Sequence, residues 1–191
     1  MRKKITKKII LDISVEIIAE EGYDALTLSR LAKSLGIRTP SLYNHISNLN
    51  QLRQEIAIKA FSHLHETLTD AVIGRSGEAA LKEIFHSYVS FMRSHPGLYA
   101  AITRVPDPAD EHIKEIADNS IDVIFRILEP YQLNKKDEVH MVRGLRAMAH
   151  GFVFIDMQGG FNMDVDIKQS MNESIETFLI GLKEVSLNNK N

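Results

Sequence analysis

Arg38 is followed by a cluster of small polar side chains, Thr39, Ser41, Tyr43, Asn44 and His45, in a segment whose apolar residues keep helical spacing. Hydroxyl, amide and imidazole groups of this kind donate to phosphate oxygens or reach base edges, and a helix that presents them fits the major groove of DNA. Within residues 40–46, Leu42 and Ile46 are four apart and can turn inward together. That leaves Thr39, Ser41, Asn44 and His45 outward, with the ring of Tyr43 between them. Pro40 suits the first helical position, where its missing N–H costs nothing, and Thr39 before it is expected to be the N-cap.

The elements that must hold this cluster lie on both sides of it. Residues 28–34 carry Leu28, Leu31, Ala32 and Leu35 at three- and four-residue spacing, so one face of a helix is buried. Thr27 can cap its start, Gly36 can take the left-handed conformation that ends it, and Ile37 returns the chain to the core. A helix, a tight glycine turn and a second short helix make a DNA-reading device, although the same pair also occurs in ordinary helical bundles.

The string Leu-Gly-Ile-Arg-Thr-Pro-Ser-Leu-Tyr-Asn-His-Ile, residues 35–46, resembles the helix-turn-helix of the TetR family of bacterial transcriptional repressors. The likeness extends upstream to Ala19, Gly22, Tyr23, Leu26 and Thr27, and downstream to Leu52. It implies that Thr27, Tyr43 and His45 hold phosphates. Arg38, Thr39, Ser41 and Asn44 would face base edges, and Pro40 belongs to the same contact set. Leu49 departs from the pattern, standing where the family often has a lysine.

The chain has 191 residues, long enough to bury a sizeable core, and its formal charge of −2 hides an asymmetry. Residues 1–50 hold eight basic against five acidic side chains, while the rest is acidic. A basic head on an acidic body directs the head at a polyanion, although so small an excess also fits a solvated face. Arg2 to Lys8 form a basic leader that could lie near the DNA backbone or be a functionless tail. There is no cysteine, hence no disulfide framework and no thiolate metal site. Asp12 and Glu16 interrupt any apolar leader, and no stretch approaches the length of a membrane span, so the expected location is the cytoplasm, with no membrane partner.

Periodicity predicts an all-α fold of about nine helices without strands, divided into a helix-turn-helix domain at 1–47 and a larger domain at 48–191. The helices are expected near 6–21, 28–34, 40–46, 48–72, 78–94, 98–104, 108–128, 134–157 and 166–183, with 188–191 a frayed tail. Asn48 and Gln51 suggest a capping box. The helix ending before Pro130 looks apolar almost all round and is expected to be central. The one ending at Met157 looks too widely apolar for a single core.

No phosphate loop, nucleophile elbow or His-Glu-x-x-His motif is present, so no catalytic residue, cofactor or metal is assigned. The eight histidines are scattered, and His63 and His65, two apart, point in opposite directions on one helix. The body's aromatic and methionine content is mostly core, but it also suits an apolar pocket lined by Phe61, Tyr88, Met92, Phe125 and Met148, which come from four helices. The body resembles the effector-binding domain of TetR repressors. Ala149-His150-Gly151 with Gly159-Gly160 is similar to the subgroup marked by tryptophan, histidine and glycine, although this chain has no tryptophan. By that resemblance the last two helices form a homodimer interface through Phe152, Ile155, Ile175, Phe178, Leu179 and Leu182. A small molecule in the pocket would swing the fourth helix and change the spacing of the two heads. The sequence therefore reads as a ligand-responsive regulator, acting as a repressor on a palindromic double-stranded operator. The alternative is a helical enzyme or small-molecule carrier with an incidental helix-turn-helix.

Overall fold

The computed structural model describes residues 5–105 and 107–189. Eight α-helices are formed: α1 Lys7–Glu21, α2 Leu28–Leu35, α3 Leu49–Ala71, α4 Gly77–Ser94, α5 Pro96–Thr103, α6 Glu111–Leu128, α7 Lys135–Met157 and α8 Ile167–Asn188. Three 3-10 helices, Tyr23–Ala25, Thr39–Asn44 and Glu129–Tyr131, complete the fold. Counting Thr39–Asn44 with the α-helices gives the nine expected, and there is no strand among the described residues. Nor is any helix among them long and apolar enough to cross a membrane.

Two compact units make up the chain, Met1–His63 with Ser94–Ala117, and Leu64–Arg93 with Asp118–Asn191. This division by compactness is a different cut from the boundary expected at residue 47.

In the first unit, local chemistry sets the helix limits. Thr6 caps α1 by accepting from the Ile9 amide at 3.3 Å, and Gly22, at φ 91°, stops it. The Asn48 side chain accepts from Gln51 N–H at 2.8 Å, and the Gln51 carboxamide accepts from Ser47 N–H at 3.0 Å, a reciprocal cap on α3. Ile10, Ile17 and Ile18 bury one face of α1 against the core that Leu31, Leu42, Leu52 and Ile56 share. Lys7 pairs with Glu55 at 2.8 Å, and Lys59 pairs with Asp12, so α3 is tied to α1 by charge at its rim. α5 lies hard against α1: a Cβ at Gly97 would stand 2.4 Å from the Val15 carbonyl oxygen. Arg2, Lys3 and Lys4 of the basic leader fall outside the described residues.

In the second unit, α4 buries Leu81, Ile84, Phe85 and Met92. α8 packs its Met171, Ile175, Leu179 and Leu182 stripe into the same core and is strapped to α4 by Lys183–Glu78 at 2.7 Å and by Lys82–Glu176. Asn134 caps α7, accepting from the Asp137 amide at 2.9 Å.

Three expectations need correction. α6 is amphipathic rather than central, because Asp118, Asn119 and Asp122 share an exposed face opposite Ile113, Ser120, Ile124 and Leu128. It starts at Glu111 rather than near 108, capped by Asp110, whose carboxylate accepts from Ile113 N–H, while the Asp107 carboxylate accepts from Ala109 N–H in the preceding turn. α8 runs on to Asn188, since the carboxamide of Asn189 bonds Asp137 and the Val185 carbonyl and so holds the last turn.

Candidate nucleic-acid interface

The reading device is built from caps and one buried anchor. Thr27 starts α2, its Oγ1 accepting from Arg30 N–H at 3.1 Å, which leaves the exposed hydroxyl its own proton to donate. Gly36 ends α2 in the left-handed region at φ 65°, where a side chain would be strained, and Ile37 N–H returns to the Ala32 carbonyl at 3.0 Å. The chain then enters Thr39–Asn44, held on the head by Leu42, which is fully buried, and by Ile46 just beyond it.

This reading helix differs from expectation in its winding, 3-10 rather than α, and in its start. Arg38, in extended conformation, occupies the N-cap position without a side-chain cap, and Thr39 is already helical. The first bond closes from Ser41 N–H to the Arg38 carbonyl at 2.9 Å, so neither Thr39 nor Pro40 needs a donor, and the proline is as well tolerated second as first. Around buried Leu42, the side chains of Arg38, Pro40, Ser41, Tyr43, Asn44 and His45 are exposed and Thr39 is half-buried.

Contacts outside the motif hold the turn that precedes α2. The Tyr23 ring lies between two guanidinium groups, Arg53 at 4.8 Å and Arg104 at 5.3 Å from its centroid. Its hydroxyl donates to the Arg104 carbonyl at 2.8 Å, Arg104 pairs with Asp24 at 2.7 Å, and Arg53 donates to the Leu26 carbonyl at 3.2 Å. Arg30 is committed to Glu21, its Nε donating to both carboxylate oxygens at 3.0 and 3.1 Å, and it also reaches Ser34. The guanidinium holds the Glu21 carboxyl below its usual range. None of these clamps was visible in the sequence. Tyr23 and Arg104 are 81 residues apart, and Glu21 and Arg30 lie on different helices.

The candidate effector residues fall in both units. Phe61 is buried in α3 within the first. In the second, Met92 is fully buried, Tyr88 nearly so, and Met148 half-buried. Phe125 is also half-buried, with Lys135 Nζ 4.5 Å from its ring centroid, so one face meets a surface cation. The Tyr88 hydroxyl shares a hydrogen bond with His150 Nε2, a partner that the lining prediction had not included. Burial, and then the nearby Arg146, push His150 below its ordinary value. Phe152 stacks on Phe161 and meets Phe85 edge-on. No group of metal-ligating side chains is assembled among the described residues.

Residues 10–56 match the profile of the bacterial regulatory proteins of the tetR family, and residues 81–178 match a tetracycline repressor-like C-terminal domain. An uncharacterized HTH-type transcriptional regulator of Bacillus subtilis, YobS, is 36% identical over 189 residues, 98% of this chain and 96% of that protein. The chain belongs to the TetR family. It is a transcriptional regulator with an N-terminal helix-turn-helix DNA-binding head and a helical C-terminal domain. Among solved structures, a protein with unknown function from Rhodococcus sp. RHA1 superposes with a TM-score of 0.82 at 21% identity, covering 95% of this chain and 97% of that one. The TetR family protein ActR of Streptomyces coelicolor, solved in complex with (S)-DNPA, superposes at 0.64 with 16% identity, over 96% and 100% of the two chains.

Proposed function

We propose that the protein is a dimeric repressor that binds an inverted-repeat operator in double-stranded DNA and is released by a small, mostly apolar effector. What carries this is the exposed polar surface of Arg38 and Thr39–Asn44 on a helix anchored by Leu42, in a head that matches the regulatory family profile. Thr27, Tyr43 and His45 hold phosphates and set the register, while Arg38, Thr39, Ser41 and Asn44, with Pro40 among them, face the bases. The functional division follows: 1–47 reads DNA, and 48–191 binds the effector and the second subunit.

Phosphate contacts release counterions, so affinity for any duplex falls with salt, with a slope of about −0.9 per phosphate neutralised. A titration of full-length protein against duplex DNA at increasing salt tests the assignment. A steep linear fall is expected. Duplex affinity that is absent or indifferent to salt would instead favour a helical enzyme or carrier, and the repressor assignment would fail.

The effector is assigned to the second unit, where Tyr88 and His150 form a polar handle between α4, which also carries Met92, and α7, which also carries Met148. That ActR, with the same fold, holds a small molecule supports a ligand here. An effector moves the equilibrium only by preferring the protein that is off DNA, and that preference is reciprocal. A compound found by thermal-shift screening should therefore bind more weakly, by the same factor, when operator DNA is present. Equal affinity with and without operator would exclude a regulatory role for its site.

A further inference from the structure

A 3-10 helix repeats every three residues, so side chains three apart stand in line. The bond from Ser41 N–H to the Arg38 carbonyl, 2.9 Å, and that from His45 N–H to the Leu42 carbonyl, 2.8 Å, show this spacing at both ends of Thr39–Asn44. Three edges result. Leu42, fully buried, and half-buried Thr39 mark the edge turned to the head. Pro40 and Tyr43 form a second, exposed edge, and Ser41 and Asn44 form a third, also exposed, with Arg38, the exposed N-cap residue in extended conformation, just before it.

Arg38, Ser41 and Asn44 differ in what they can pair with. A guanidinium offers two parallel N–H donors, which match the O6 and N7 acceptors of guanine. A carboxamide offers one donor and one acceptor, which match N7 and N6–H of adenine, and a serine hydroxyl accommodates either base. Arg30, the other guanidinium on the motif, is held by Glu21 and Ser34, so the guanidinium left exposed beside the reading helix is that of Arg38.

We propose that each operator half-site presents a guanine to Arg38 and an adenine to Asn44, about three to four base pairs apart, with Ser41 over the pairs between them. The separation follows from a rise of about 2 Å per residue over six residues, against about 3.4 Å per base-pair step. Tyr43, on the neighbouring edge, meets the flanking backbone. This assignment rests on operator binding and sharpens it into a statement about sequence.

The test begins with selection of full-length protein on a random duplex pool, followed by atom replacement in the selected half-site. Replacing the guanine with 7-deazaguanine, or the adenine with 7-deazaadenine, deletes one acceptor and leaves base pairing intact. Wild-type protein should lose about tenfold affinity for each. Arg38→Ala should be indifferent to the guanine replacement only, and Asn44→Ala to the adenine replacement only. Because the first measurement uses wild-type protein, a misfolded variant cannot obscure it. Selected half-sites that lack a guanine and adenine at this separation would overturn the base assignment and leave the repressor assignment standing. So would a deaza penalty that persists in the matching variant. Selection of no preferred sequence would overturn both.

Discussion

Two side chains carry the sharpest expectations at the residue scale. Tyr43 is 56% exposed on the reading helix, and its hydroxyl is assigned to a phosphate. Tyr43→Phe should weaken binding to operator and random duplex alike, whereas Asn44→Ala should cost roughly 1 to 3 kcal/mol on the operator and less elsewhere. Fluorescence anisotropy on both duplexes separates the two, and equal losses for Asn44→Ala would remove it from base reading. His150 is the second case. It is bonded to Tyr88 from a largely buried position, and its pKa is lowered from 6.5, first by burial and then by Arg146. The unfolded chain therefore takes up a proton at this site more readily than the folded one. The stability contributed by neutral His150 is complete above about pH 6.5 and is lost as pH falls from there through the lower folded value. Replacing it with glutamine retains a hydrogen-bonding group and removes the titration. Chemical unfolding of both proteins between pH 8 and pH 5 should show the wild type losing stability relative to His150→Gln below about pH 6.5. Parallel curves would mean that His150 does not couple to folding.

At the scale of elements, what was legible in the sequence was what short-range chemistry decides. Thr6 and Gly22 bound α1, Thr27 and Gly36 bound α2, and Asn134 starts α7, each through a bond within about one turn of the cap. The reading helix was placed correctly, but its 3-10 winding was not, because Leu42 and Ile46 satisfy the burial pattern in either form. α6 looked central by its count of apolar residues, yet Asp118, Asn119 and Asp122 recur on one face and keep it wet. The clamp of Tyr23 by Arg53 and Arg104 and the tie of Asn189 to Asp137 were illegible, since no local pattern encodes contacts dozens of residues apart. The same holds for the closeness of α5 to α1. Gly97 permits it: the nearest atom to an added Cβ is the backbone oxygen of Val15, with Val15 Cγ1 at 3.1 Å and Ala19 Cβ at 3.3 Å. A backbone atom cannot swing aside as a side chain can, so Gly97→Ala must part the two helices. Overpacking of this kind costs typically 1–3 kcal/mol, more than the propensity an alanine adds to the helix. Urea unfolding should show a lower midpoint for Gly97→Ala, and an unchanged or raised midpoint would mean that α5 is not seated on α1 in this way.

At the scale of the whole molecule, the open question is which surface a second subunit covers. The stripe of Ile175, Leu179 and Leu182 is already buried within one protomer, and Phe178 lies against Gly144 of α7, where a Cβ would come within 3.3 Å of its ring. These residues therefore support α8 from beneath. Phe152 is half-buried by Phe161 and Phe85, and among the named interface residues Ile155 is the one left exposed. Beside it on α7 stand Phe154 and Met157, and α8 leaves Ile180 63% exposed. Apolar side chains concentrated on two helices suit a two-fold interface, in which the same patch meets itself. Two substitutions one residue apart should then have different outcomes. Leu179→Asp buries a carboxylate in the protomer's own core and should unfold it, while Ile180→Asp should leave a folded monomer, because its charge stays in water until a partner arrives. Circular dichroism reports the first effect and sedimentation velocity at micromolar concentration the second. A folded monomer engages one half-site at a time, so Ile180→Asp should also bind an inverted repeat more weakly by about 10² to 10⁴, with little loss on an isolated half-site. Wild-type protein that sediments as a monomer at that concentration would remove the dimer and, with it, the reason to expect an inverted repeat.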